Sequence, residues 1–175
     1  MKHLMNKERL LLLSRWHLLF IALFFFFGVI VPIYYISYPL LGDETTFLAI
    51  GNSIKNGALL YRDVADIKPP GIFYLAALVF SVAGKSFIAA RILTYFVNAA
   101  SAILIFAIGT KVKDNNVGMI VAILFLIGAY LPLFQGYYYM IEPFAVFFIL
   151  LSVLFFLRDG YRSKFIAGLI LGIGL

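Results

Sequence analysis

Long apolar stretches alternate with short polar segments along most of this chain. Stretches that are apolar on every face occupy residues 18–38, 87–110, 117–136, 144–157 and 165–175, and the last one is cut by the end of the sequence. About 20 helical residues cross ~30 Å of hydrocarbon, so these stretches predict membrane-spanning helices. The pattern therefore predicts an all-α integral membrane protein built as a multi-span bundle of transmembrane helices.

A polar loop at 39–86 separates the first two predicted spans, and the pattern inside it predicts two shorter helices, at 44–56 and 71–84. The apolar residues of the first helix share one face, which suits a helix that rests on the bilayer surface. Asp43 is placed to cap this helix and Gly57 to end it. The second segment has about 14 residues, which is short for a span and typical of an interfacial helix. We therefore expect juxtamembrane amphipathic helices in this loop.

Charge predicts the orientation of the chain. If 71–84 lies flat, the segments on the cytoplasmic side are the N-terminus, 111–116 and 158–164, and they hold nine of the 14 Lys and Arg but three of the eight acids. If 71–84 crosses, that side keeps only six of the 14 basic residues. The positive-inside rule favours the flat arrangement. We therefore expect a multi-pass protein of the cell membrane with a cytoplasmic N-terminus and outward-facing loops at 39–86 and before 144.

Composition supports this class of protein. Hydrophobic residues make up 64% of the chain and charged residues 13%, far from the balance of a soluble domain. The absence of cysteine excludes disulfide scaffolds and thiolate chemistry. Membrane topology explains the basic clusters and the net charge of +6, so we expect membrane lipid and no nucleic acid among the partners.

The outer loops carry the candidate chemistry. Asp43 and Glu44 follow the first span directly, Glu142 lies in the second outer loop, and Lys68 precedes two prolines that fix its backbone. Charged groups at the lipid interface are costly to keep without a role. A carboxylate can take a proton from an attacking acceptor, and a lysine can offset the charge of a departing phosphate. This set favours group transfer at the membrane surface.

The order of these features resembles the GT-C glycosyltransferases, which include the protein O-mannosyltransferases and the aminoarabinose transferases of lipid A. The similarity covers 18 to about 157 and lies in the order of the motifs "DE" (43–44), "YRD" (61–63), "KPPGIFYL" (68–75), "AAR" (89–91) and "EP" (142–143). It implies a bundle of many transmembrane helices, a polyprenyl-phosphate sugar donor, and transfer to an acceptor hydroxyl or amine. Members of this family are several hundred residues long, so we expect this chain to be the N-terminal part of such an enzyme.

The resemblance also implies roles for single residues. Asp43 matches the catalytic carboxylate, Glu44 the acid beside it, Glu142 a second acid of the same cavity, and Lys68 the lysine that contacts the donor phosphate. Further expected substrate contacts are Tyr61, Arg62, Asp63, Arg91 and Tyr138. Whether a divalent metal takes part stays open, because two carboxylates serve equally well as a base or as metal ligands.

Structural alternatives stand beside these roles. Taken alone, Asp43 is typical of a helix cap and Lys68 of an interfacial lysine that snorkels to the head groups. Arg91 can anchor the outer end of its span or pair with a loop acid. The tyrosines at 137–139 are typical of an aromatic belt, and Gly168 with Gly172 forms a GxxxG step for helix packing. At the level of function, a non-catalytic or truncated membrane subunit is the alternative. A transporter is disfavoured because the spans carry few charges.

Overall fold

The computed structural model describes residues 16–174, and within this range the regular structure is helical apart from one isolated bridge between Leu60 and Val64. The basic residues of the N-terminus and Leu175 lie outside it. Seven helices cover the described range: α1 Trp16–Tyr35, α2 Gly42–Lys55, α3 Gly71–Ala83, α4 Phe87–Val112, α5 Asn115–Ala129, α6 Ile141–Phe156 and α7 Tyr161–Gly174. The all-α prediction is confirmed.

Two of these helices, α1 and α4, are long and apolar enough to cross a bilayer, whereas α3, α5 and α6 are shorter apolar helices. Helix α1 contains a π-helical turn at Phe26–Ile30, one turn before Pro32. A proline has no backbone N–H and crowds the preceding turn, and a wider turn accommodates both effects. The run predicted at 117–136 ends as a helix at Ala129, and the chain continues in turns whose residues 131–134 are exposed and whose tyrosines at 137–139 are buried.

Helix α4 lies at the centre of the bundle. Helices α5 and α6 pack against it, α7 packs on α6, and α1 touches α4 and α5. The crossing of α4 and α5 is close, since a Cβ added at Gly109 would lie 2.7 Å from the Cα of Gly118. The predicted GxxxG contact is not made within the described residues, because a Cβ at Gly168 or Gly172 would meet no atom within 4 Å.

Helices α2 and α3 form a parallel pair. The rings of Phe47 and Phe73 are 5.7 Å apart near the start of both helices, and the Lys55 ammonium donates to the Phe80 carbonyl at 2.8 Å near their ends. Gly51 permits close approach between them, because a Cβ there would overlap α3. The apolar face of α2, which was expected to rest on the bilayer, therefore packs against α3.

The start of α2 differs from the sequence prediction, whereas its end agrees with it. The helix begins at Gly42 with Leu41 as its N-cap, so Asp43 lies in the first turn and the prediction that it caps the helix is wrong. At the other end Gly57 adopts φ +97°, and the N–H groups of Gly57 and Ala58 donate to carbonyls of the last turn at 2.9 and 3.0 Å. This is a Schellman motif, and the predicted stop is confirmed.

The α1–α2 loop and the α5–α6 loop meet at the N-terminal end of α4. We call this end of the bundle the loop end. The Tyr139 hydroxyl donates to the Ile72 carbonyl at the start of α3 at 2.8 Å, and Phe80 near the end of α3 packs in one cluster with Ala90 of α4. Helix α3 therefore begins and finishes at the loop end. Helix α6 starts at the loop end and extends about 24 Å away from it. The α4–α5 and α6–α7 connections therefore lie at the opposite end, which we call the turn end.

Candidate functional site at the loop end

The two adjacent acids at the start of α2 lie in opposite environments. Glu44 is fully buried on the face of α2 that packs inward, whereas Asp43 is exposed. Neighbouring residues of a helix point about 100° apart, which allows this split. Asp43 has no hydrogen-bond or ion-pair partner anywhere in residues 16–174. Of the three carboxylates predicted to be catalytic, Asp43 is therefore free and Glu44 is enclosed.

Glu44 is enclosed by Arg91. The Arg91 Nε donates to Glu44 Oε1 at 2.9 Å and Nη2 to Oε2 at 2.6 Å, and both side chains are fully buried. This two-point geometry matches the planar guanidinium to the carboxylate. Arg91 thus pairs with a loop acid, which was the structural alternative to substrate contact.

The remaining N–H groups of Arg91 reach the end of α1. Nη1 donates to the carbonyls of Tyr35, Ile36 and Tyr38 at 3.4, 3.1 and 2.7 Å, and Nη2 donates to Pro39 at 3.3 Å. The last carbonyls of a helix have no partner within it, and a cation there also complements the helix dipole. Arg91 therefore caps α1 from a distant helix while it holds the first turn of α2.

The α5–α6 loop completes the enclosure. The guanidinium of Arg91 lies 4.9 Å from the ring centroid of Tyr138 and 5.1 Å from that of Phe87, within range of cation–π attraction. The backbone N–H of Tyr139 donates to Glu44 Oε1 at 2.9 Å. Tyr138, expected to contact substrate, is buried and supports Arg91 in this structure.

Tyr139 connects three parts of the loop end and was given no individual role by the sequence. Its backbone binds Glu44, its hydroxyl binds Ile72, and it is fully buried. Burial also raises the pKa of its hydroxyl, which stays a neutral donor. The signal in the sequence was the run of three tyrosines just before Glu142, which is typical both of an aromatic belt and of a packed core.

Lys68 has a fixed backbone and a free side chain. Its N–H donates to Asp66 Oδ1 at 3.0 Å, and its carbonyl accepts from the Tyr61 hydroxyl at 2.9 Å. Tyr61 itself adopts φ +65°, a conformation uncommon for a bulky residue, and its N–H donates to Val64 at 2.7 Å. The half-buried Lys68 side chain has no ionic partner in the described part of the chain.

Arg62 and Asp63, two further expected substrate contacts, pair with each other at the surface. The Arg62 Nε to Asp63 Oδ1 distance is 2.9 Å, and the Leu59 N–H donates to Asp63 Oδ2 at 2.9 Å. The hydrogen bond from Arg62, followed by that from Leu59, holds the pKa of Asp63 below its usual value. An exposed pair of this kind adds little stability.

Glu142 lies exposed in the first turn of α6, and it too has no partner within residues 16–174. Asp43, Lys68 and Glu142 thus have no charged partner among the described residues, and Lys85, exposed in the α3–α4 connection, is a fourth such charge. Asp43 is adjacent to Glu44, which accepts from the Tyr139 N–H, and Lys68 lies four residues before Ile72, whose carbonyl accepts from the Tyr139 hydroxyl. Glu142 lies three residues after Tyr139. The fold therefore brings three distant segments to the loop end and leaves one charged group of each without a partner.

Neither metal-binding geometry nor similarity to known proteins indicates the function. No group of three or more His, Asp or Glu side chains among the described residues is arranged to hold a metal ion. No family model, curated protein or solved structure matches the chain. Function is therefore inferred from the residues and their geometry.

Proposed function

We propose that this chain is part of a membrane glycosyltransferase of the GT-C type, which moves a sugar from a polyprenyl-phosphate donor to an acceptor at the outer face of the membrane. The observation that carries the proposal is the contrast between Asp43 and Glu44. A general base needs a fixed position and free lone pairs. Glu44, locked by Arg91, supplies the fixed position, and Asp43 supplies the free carboxylate.

Two features support placement in a membrane. Only 11% of the most apolar stretch of α1 and 28% of that of α4 is buried inside the molecule, so neither resembles the core helix of a soluble protein. The described residues of the turn end carry five basic side chains against two acids, whereas the loop end carries five of each. By the positive-inside rule, this difference favours a cytoplasmic turn end and an outer loop end.

The proposed reaction assigns a task to Asp43, Lys68 and Glu142. As the acceptor oxygen or nitrogen forms a bond to the anomeric carbon, its proton passes to the Asp43 carboxylate. The bond from that carbon to the donor phosphate breaks, and Lys68 offsets the charge that stays on the polyprenyl phosphate. Glu142 orients the acceptor beside Asp43.

The paired residues act through these groups. Glu44 accepts three hydrogen bonds inside the protein, so we assign it to positioning Asp43. Arg91 and Tyr138 keep Glu44 in place. Tyr61 holds the carbonyl of Lys68 and thereby aims the lysine.

The test is transfer of label from polyprenyl-phosphate sugars in membranes that contain Asp43→Asn. Asparagine keeps the size of the side chain but is not basic, so transfer should fall by about 10²-fold or more, with an unchanged melting temperature. Asp159→Asn removes an exposed acid at the turn end and should leave transfer intact. Wild-type transfer by Asp43→Asn would contradict the proposal, and no transfer by the wild type with any donor would favour a non-catalytic subunit.

A further inference from the structure

The α6–α7 connection at the turn end concentrates positive charge. Arg158, Arg162 and Lys164 lie within seven residues and are all exposed, with Asp159 as the one acid among them. None of the four forms a salt bridge with another described residue. The segment therefore presents a net charge of +2 that is not neutralised within residues 16–174.

Aromatic rings hold two of these cations against the end of α6. The guanidinium carbon of Arg158 lies 4.7 Å from the ring centroid of Phe155, and the Lys164 ammonium lies 6.0 Å from that of Phe156. A cation over a ring keeps its full charge. Both groups are thus oriented by the protein and remain able to meet an anion.

A shallow, open apolar groove lies beside the cations. It has a volume of about 390 Å³ and is lined by Tyr161, Arg162, Phe165 and Ile166. Tyr161 is 92% exposed and Phe165 68% exposed, one helical turn apart on α7. An exposed aromatic groove with Arg162 in its wall is unfavourable in water but complements a molecule with a negative head and an apolar tail.

We propose that the α6–α7 connection binds an anionic phospholipid, with its phosphate between the cations and an acyl chain in the groove. Charge complementarity selects the head group, since basic pockets next to membrane helices hold anionic lipids. The groove selects a lipid over free phosphate, which would leave the aromatic surface uncovered. The inference rests on the membrane placement proposed above but not on sugar transfer.

Native mass spectrometry of the detergent-purified protein tests this inference. After incubation with equal amounts of phosphatidylglycerol and phosphatidylcholine, the wild type should retain mainly phosphatidylglycerol. Arg162→Gln/Lys164→Gln should lower that retention by about tenfold or more, because each cation contributes severalfold to binding of an anionic lipid. The matched control is Lys111→Gln/Lys113→Gln, which removes the same charge from the same end of the bundle and should keep the preference.

A third variant tests the groove. Phe165→Ala leaves every charge in place and should weaken retention of phosphatidylglycerol, while inorganic phosphate should not displace the lipid from the wild type. An equal loss in the two double variants, an unchanged Arg162→Gln/Lys164→Gln protein, or displacement by phosphate would overturn the lipid site. Equal retention of both lipids, or retention of neither, would overturn the site and leave the membrane placement intact.

Discussion

Replacing Glu44 by glutamine should separate fold from chemistry at the loop end. The amide has nearly the same shape as the carboxylate, so packing is preserved and only the charge is lost. In the structure Oε1 accepts from Arg91 Nε and from the Tyr139 N–H, while Oε2 accepts from Arg91 Nη2. The amide oxygen of glutamine can take the place of Oε1. The NH₂ group of the glutamine then faces Arg91 Nη2, so two hydrogen-bond donors oppose each other without an acceptor.

The magnitude follows from burial. Both partners are fully buried, so Arg91 would remain as an enclosed charge without its counter-ion. Removing one member of a buried pair costs about 3–5 kcal/mol. The lost hydrogen bond from Arg91 Nη2 to the carboxylate accounts for about 1.5–3 kcal/mol of this cost. For a chain of this size, the melting temperature should fall by about 6–20 °C.

Thermal unfolding of the detergent-purified protein measures this change, and Asp43→Asn is the matched control. It removes one carboxylate from the adjacent, exposed position, where substitutions change stability by about 0.5 kcal/mol or less. The two neighbours should therefore behave in opposite ways, with Glu44→Gln losing stability and Asp43→Asn losing transfer. A melting temperature for Glu44→Gln equal to that of Asp43→Asn would refute the structural role assigned to the buried pair.

Three further predictions address orientation, the phosphate site and helix packing. A cysteine at Asn56 should react with an impermeant thiol reagent from outside, whereas one at Asn115 should not; reaction at both sites would mean that α3 crosses the membrane. Lys68→Arg should keep part of the transfer activity and of donor binding, while Lys68→Met, which retains the apolar stem, should keep little of either; full donor binding by Lys68→Met would make the lysine an interfacial anchor. Gly109→Leu should lower the melting temperature strongly because α5 lies against it, and Gly168→Leu should have little effect, so equal destabilisation by both would contradict the described packing.

The sequence predicted the elements better than their partners. The long runs gave α1 and α4 within a few residues of their observed ends, and the left-handed preference of glycine gave the stop at Gly57. These features depend on local periodicity and local backbone preference. The apolar face of α2 was also recognised, but periodicity shows only that a face is buried. Periodicity does not show whether that face contacts lipid or another helix, which here is α3.

The candidate site shows the same limit more sharply. Asp43 and Glu44 are adjacent in sequence and chemically similar, and nothing local distinguishes the exposed acid from the buried one. The distinction comes from Arg91, 47 residues further on, and from Tyr139, 95 residues further on. The possibility that Arg91 pairs with a loop acid could be stated from the sequence, but the choice of acid required the fold.

The cap that Arg91 places on α1 also bears on the order of assembly during synthesis. The carbonyls of Tyr35, Ile36, Tyr38 and Pro39 emerge from the ribosome more than 50 residues before the side chain that binds them. Until then the end of α1 depends on water for its hydrogen bonds, and α2 has no counter-ion for Glu44. Contacts of such separation form late, after the loop between them has been closed. The loop end therefore cannot assemble before α4 supplies Arg91, and it is completed only when the later α5–α6 loop adds Tyr138 and Tyr139.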